Sequence, residues 1–132
     1  MKYPIVIELG DAETAHAVYV PDLDVATAGD TIEDCYKAAV EAADVEMGNF
    51  VRMGKEIPMP SNMADIMDRE EYKGFQFGLV DIDITPFLGK TERLTITLPS
   101  RVVSAIDEHV RMYGLKSRSA FIADAAMAGI SR

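Results

Sequence analysis

At 132 residues and 48% hydrophobic content, the chain has the length for one domain, or for a small domain with an appendix, and enough apolar side chains to fill a core. Large multidomain enzymes and intrinsic disorder are excluded. A net charge of −9 speaks against a chain that coats nucleic acid over its whole surface, yet the charge is uneven: residues 1–90 carry 7 basic and 18 acidic side chains, net −11, and residues 91–132 carry 6 and 4, net +2.

In chain order, Tyr3, Ile5, Ile7 and Leu9 alternate with Pro4, Val6 and Glu8. After the polar turn Gly10-Asp11-Ala12-Glu13 a second run extends from Ala15 to Val20 and stops at Pro21, a spacing that predicts a hairpin. A short third strand is predicted around Val25 to Ala28. Asp30 or Thr31 can cap the following helix, Glu33 and Asp34 sit in its positive first turn, and Ile32, Tyr36, Ala39, Val40 and Ala43 make one apolar stripe. That helix is predicted over 31–47, with Gly48 as its stop. Pro58, Pro60, Ser61 and an acidic stretch predict a loop from Gly54 to Tyr72 with at most a turn or two of helix. Phe75 to Ile84 reads as a strand whose apolar face switches at Leu79, which requires either a bulge or cover on both faces in its first half; Gly78 fits both. The fold class is therefore α+β, a small antiparallel sheet with one main helix.

Pro86, Gly89 and Lys90 break the pattern where the charge changes sign, so the chain is divided into a front domain (1–85), a linker (86–91) and a rear domain (92–132). In the rear domain Leu94, Ile96 and Leu98 alternate with Arg93, Thr95 and Thr97, a strand with one apolar and one polar face. Pro99 ends it and opens a helix with Ser100, in which Val102, Val103, Ile106 and Val110 recur until Gly114. Ser117 caps a second helix with Phe121, Ile122, Ala125 and Ala126 on its inner face. A lone strand and two short helices cannot close a core. The simplest partner is the same strand of a second chain, giving a homodimer or tetramer whose shared core holds Leu94, Ile96, Leu98, Phe121 and Ile122. The polar face of that two-stranded ribbon shows Arg93, Thr95 and Thr97, suited to base edges in the major groove, while Ser117, Arg118 and Ser119 at a helix start make a phosphate clamp.

The strand ERLTITLP, the glycine in YGL and the helix start SRSAFI resemble the ribbon-helix-helix DNA-binding proteins. The whole chain is similar to HicB-type antitoxins, through the apolar first strand opening at Lys2-Tyr3, Val20-Pro21-Asp22-Leu23, Gly29-Asp30-Thr31, Gly54 with Ile57-Pro58-Met59-Pro60-Ser61, and the strand from Phe75. Where family members commonly continue into Pro-Gly after Pro-Asp-Leu, this chain has Asp24-Val25-Ala26. The resemblance implies a degenerate RNase H-like front domain that covers a small basic HicA-type ribonuclease toxin, and a ribbon-helix-helix module that represses its own operon at operator DNA. Without a toxin, the same residues fit a repressor controlled by a small ligand or metal through its front domain.

Other residues carry little chemistry. Asp22, Asp81 and Asp83 supply carboxylates that a two-metal nuclease would use, but aspartates on an edge strand ordinarily serve solvation and edge protection. His16 and His109 pair with no Ser or Cys nucleophile, Cys35 is read as packing, and the methionines Met47, Met53, Met59, Met63 and Met67 as half-buried packing or an adaptable partner surface. No enzymatic activity, metal or cofactor is expected. With no run of about 18 apolar residues and no leader-like start, the chain is expected to be soluble and cytoplasmic, with no membrane partner.

Overall fold

A computed structural model describes residues 1–130 of the chain. Its contacts form two compact units, Met1–Lys90 and Thr91–Arg132; the last two positions of the rear segment, 131 and 132, lie outside the described residues.

The front unit is a four-stranded antiparallel sheet in the order β3-β2-β1-β4, built from β1 (Lys2–Glu8), β2 (His16–Val20), β3 (Val25–Gly29) and β4 (Gln76–Asp81). The turn between β1 and β2 is tied by Asp11, whose carboxylate accepts from the amides of Glu13 and Thr14 at 2.9 Å each. Only glycine fits at position 10, where a Cβ would stand 2.0 Å from the Thr14 carbonyl oxygen. Between β2 and β3, Pro21–Leu23 makes one 3-10 turn, and Asp24, at the position where Pro-Gly is common in the resembling family, turns the chain in the left-handed region at φ 53°. An aspartate tolerates that region better than most side chains.

Helix α1 (Ile32–Arg52) packs on one face of the sheet. Thr31 is its cap, the hydroxyl accepting from the Asp34 amide at 3.0 Å. The helix runs through Gly48 and stops one turn later, where Met53 leaves helical geometry and Gly54 adopts φ 68°. Gly48 does not stop it because a glycine interrupts a helix only weakly while packing continues on both sides. The buried stripe is Cys35, Ala39, Ala43 and Met47, with Ile32 left exposed, so the inner face is turned slightly from the expected one.

Tyr3 through Ile7 of β1 are all buried, which alternation cannot produce unless both sheet faces are covered. On the α1 face Gly29 lies so close to the helix that a Cβ would sit 2.6 Å from the Cys35 nitrogen. On the other face, Tyr72 and Phe75 of the long connection stack toward Tyr19, with ring centres 6.3 and 6.4 Å apart in sequence Tyr19, Tyr72, Phe75. The same cover explains β4. Its register with β1 runs unbroken from Lys2↔Asp81 to Ile7↔Gln76, so no bulge lies at Leu79. Phe77 shares the face of Val6, Val80 shares that of Tyr3, and Gly78 makes room for the Tyr36 ring. The connection itself contains one short helix, α2 (Met63–Met67), capped by Asn62, and a 3-10 turn at Glu70–Tyr72.

The rear unit contains α3 (Ser100–Tyr113), ended by Gly114 at φ 61°, and α4 (Arg118–Ile130). The strand expected over Glu92 to Leu98 joins no ladder within the single chain among the described residues. Leu94 is 78% exposed and Ile96 56%, and Ile106 is the one buried residue of this unit among those described. No helix of the described residues is long and apolar enough to cross a membrane.

Candidate functional site

The residues singled out in the rear unit fall into two groups. Arg93, Thr95 and Thr97 lie exposed along 91–99, alternating with exposed Leu94 and Ile96 and half-buried Leu98. Ser117, Arg118 and Ser119 come together at the start of α4, where the Ser117 hydroxyl accepts from the Ala120 amide at 3.1 Å. Phe121 and Ile122 are half-buried on the same helix. The His109 ring, exposed on α3, lies 4.5 Å from the Tyr113 ring of the same helix and 5.0 Å from that of Phe121 on α4, an aromatic contact.

Arg118 has a contact with no sequence signal. Its Nε donates to Asp107 Oδ1 at 2.9 Å and its Nη2 to Oδ2 at 2.8 Å, a two-pronged pair linking α3 to α4 across eleven residues. The hydrogen bond from the guanidinium holds the Asp107 carboxyl below its usual range, and the carboxylate in turn raises Arg118.

In the front unit the three aspartates of the nuclease reading serve separate local contacts. Asp22 accepts from the Ser61 amide at 2.9 Å and from the Ser61 hydroxyl. Asp81 pairs with the Met1 ammonium at 3.0 Å, and Asp83 accepts from the Thr85 amide at 3.0 Å. Among the described residues no three metal-ligating side chains converge. Close to Asp22, the Tyr3 hydroxyl donates to the Pro58 carbonyl at 2.8 Å; burial, and then the Asp22 charge, push its pKa up to about 12. These contacts moor Pro58 to Ser61 on the sheet. Cys35 is buried with its sulfur 3.8 Å from the Gly29 carbonyl, and burial pushes the thiol up, away from nucleophilic use.

No charged side chain of the described residues is buried, so the acidic excess of the front unit is a surface property. Beside the free edge of β4, Tyr36, Val40 and Leu79 line an open apolar groove rimmed by Lys37, Glu41 and Asp81. A patch of this kind, apolar at its centre and charged at its rim, suits protein contact better than catalysis.

Residues 3–126 match the family described as HicB_like antitoxin of bacterial toxin-antitoxin system. An uncharacterized 14.9 kDa protein from the rep-hol intergenic region of Haemophilus phage HP1 (strain HP1c1) is 31% identical over 128 residues, 96% of this chain and 95% of that protein. The crystal structure of the Burkholderia pseudomallei antitoxin HicB superposes with a TM-score of 0.78 at 30% identity, over 96% of each chain. A chain from the HicA3 and HicB3 toxin-antitoxin complex matches 63% of this chain and 99% of itself, with a TM-score of 0.54 and 33% identity.

Proposed function

This chain belongs to the HicB_like antitoxin family of bacterial toxin-antitoxin systems, and on that premise we propose that its front unit binds and blocks a small basic HicA-type ribonuclease toxin while its rear unit represses its own operon at operator DNA. The likeness of 63% of the chain to one from a HicA3 and HicB3 complex carries the toxin half. The three-stranded meander with a helix on one face supports reading the front unit as a partial RNase H-like domain that works by covering its partner, with no chemistry of its own.

The rear half rests on the segment 91–99, where two large apolar side chains stand in solvent on a stretch that joins no ladder among the described residues. A second copy supplying the same segment antiparallel would pair the amides and bury Leu94, Ile96 and Leu98 against Phe121 and Ile122. Arg93, Thr95 and Thr97 then face outward as a ribbon for the major groove, and Ser117, Ser119 and the first amides of α4 fix the register on phosphate, with Arg118 beside them. Binding of the full chain to the DNA upstream of its own reading frame, together with sedimentation of Ile96→Asp, tests this half. Two opposed carboxylates in the shared core should separate the copies and abolish DNA binding. An Ile96→Asp chain that stays in the parental oligomer and binds DNA would overturn it.

A further inference from the structure

Asp107 and Arg118 meet as two planar groups, each using both of its facing atoms, with N···O distances of 2.9 and 2.8 Å. About half of each side chain still faces water, 55% for Arg118 and 49% for Asp107, so the pair lies on the surface of the rear unit. Arg118 also stands between Ser117 and Ser119 at the start of α4, the helix end that the DNA-binding reading sets against a phosphate. A guanidinium held by a carboxylate along one edge offers a phosphate only its remaining donors, and the pair as a whole carries no net charge. We infer that Asp107 sets the DNA affinity of the rear unit by holding Arg118 off the phosphate backbone. The inference rests on the DNA-binding reading of this unit.

Asp107 is then a positioning residue that lowers affinity, an effect suited to a unit whose excess of positive charge is only +2 over residues 91–132. The hydrogen bond from Arg118 holds the carboxyl below its usual range, so the pair is charged at neutral pH.

The test uses the full chain, the DNA upstream of its reading frame as probe, and binding measured across a salt series for the parent, Asp107→Asn, Arg118→Ala and the double variant. Asp107→Asn should bind about tenfold tighter, the effect of one charge-assisted hydrogen bond gained. Its slope of log affinity against log salt should steepen by about 0.9 for each arginine freed. Asp107→Asn should change little once Arg118 is gone. A parental slope for Asp107→Asn would mean that breaking the pair adds no phosphate contact. An equal gain from Asp107→Asn with and without Arg118 would mean that Asp107 acts only as a repelling charge. Either result overturns the inference. Should Arg118→Ala alter the melting temperature or the oligomer, Arg118→Gln takes its place. A parent that binds no upstream DNA and is indifferent to Arg93→Ala would instead defeat the DNA reading, and the inference with it.

Discussion

Tyr3 is buried in the first strand, and a buried hydroxyl has to be satisfied; the Pro58 carbonyl does so at 2.8 Å. Tyr3→Phe removes the donor and leaves that carbonyl without it, so denaturant unfolding should show a loss of about 1 kcal/mol. The sign of the pH effect follows from the raised pKa. The folded state favours the protonated phenol, so this contribution is complete below the ordinary value of 10.0 and is lost as pH rises through about 12. Alkaline unfolding of Tyr3→Phe should lack that part of the fall. In the DNA-binding reading proposed for the rear unit, Arg93 and Ser117 would make two different kinds of contact. Arg93→Ala should weaken operator binding by about 1–3 kcal/mol and relax sequence preference, whereas Ser117→Ala should weaken all sequences alike, as competition binding at fixed salt would reveal. Equal operator affinity for parent and Arg93→Ala would exclude a base-reading ribbon.

Among the elements, α1 shows where sequence patterns stop being legible. Its cap and acidic first turn are local signals, and Thr31, Glu33 and Asp34 can be read directly. Its end cannot, because Gly48 and Gly54 are equivalent in sequence and only the buried Met47, and the chain packed around it, carries the helix through the first. Two glycines, Gly48 within this helix and Gly29 just before it, make the role of packing testable. At Gly48 a Cβ would meet only the Arg52 side chain at 3.7 Å, so Gly48→Ala should stabilise the front unit by about 0.5–1 kcal/mol. At Gly29 the Cβ would strike the Cys35 backbone at 2.6 Å, which neither strand nor helix can yield cheaply, and Gly29→Ala should destabilise by about 1–3 kcal/mol. Thermal melts of both variants check the opposite signs. The face switch in β4 was visible as a pattern, but choosing cover over a bulge required knowing that Tyr72 and Phe75 fold back across the sheet. Pairs such as Asp22 with Ser61, or Asp107 with Arg118, leave no trace at all, since neither spacing nor residue type brings distant side chains together.

At the scale of the whole molecule, the chain keeps its charges apart, with net −11 over residues 1–90 and +2 over residues 91–132. The acidic surface cannot serve DNA, and its natural complement is a basic protein whose own face is built for phosphate. Attraction of that kind steers encounter, so association with the proposed toxin should slow as salt brings the screening length below about 10 Å, and apolar contacts would hold the complex once formed. The most direct measurement is co-expression of residues 1–90 with the proposed toxin, a small basic protein sought in the reading frame next to this one, followed by growth and co-purification. Restored growth, with the fragment and the basic protein recovered as one complex, is the expected result. Continued toxicity and no recovered complex with a folded fragment, while the full chain restores growth, would contradict neutralisation by the front unit.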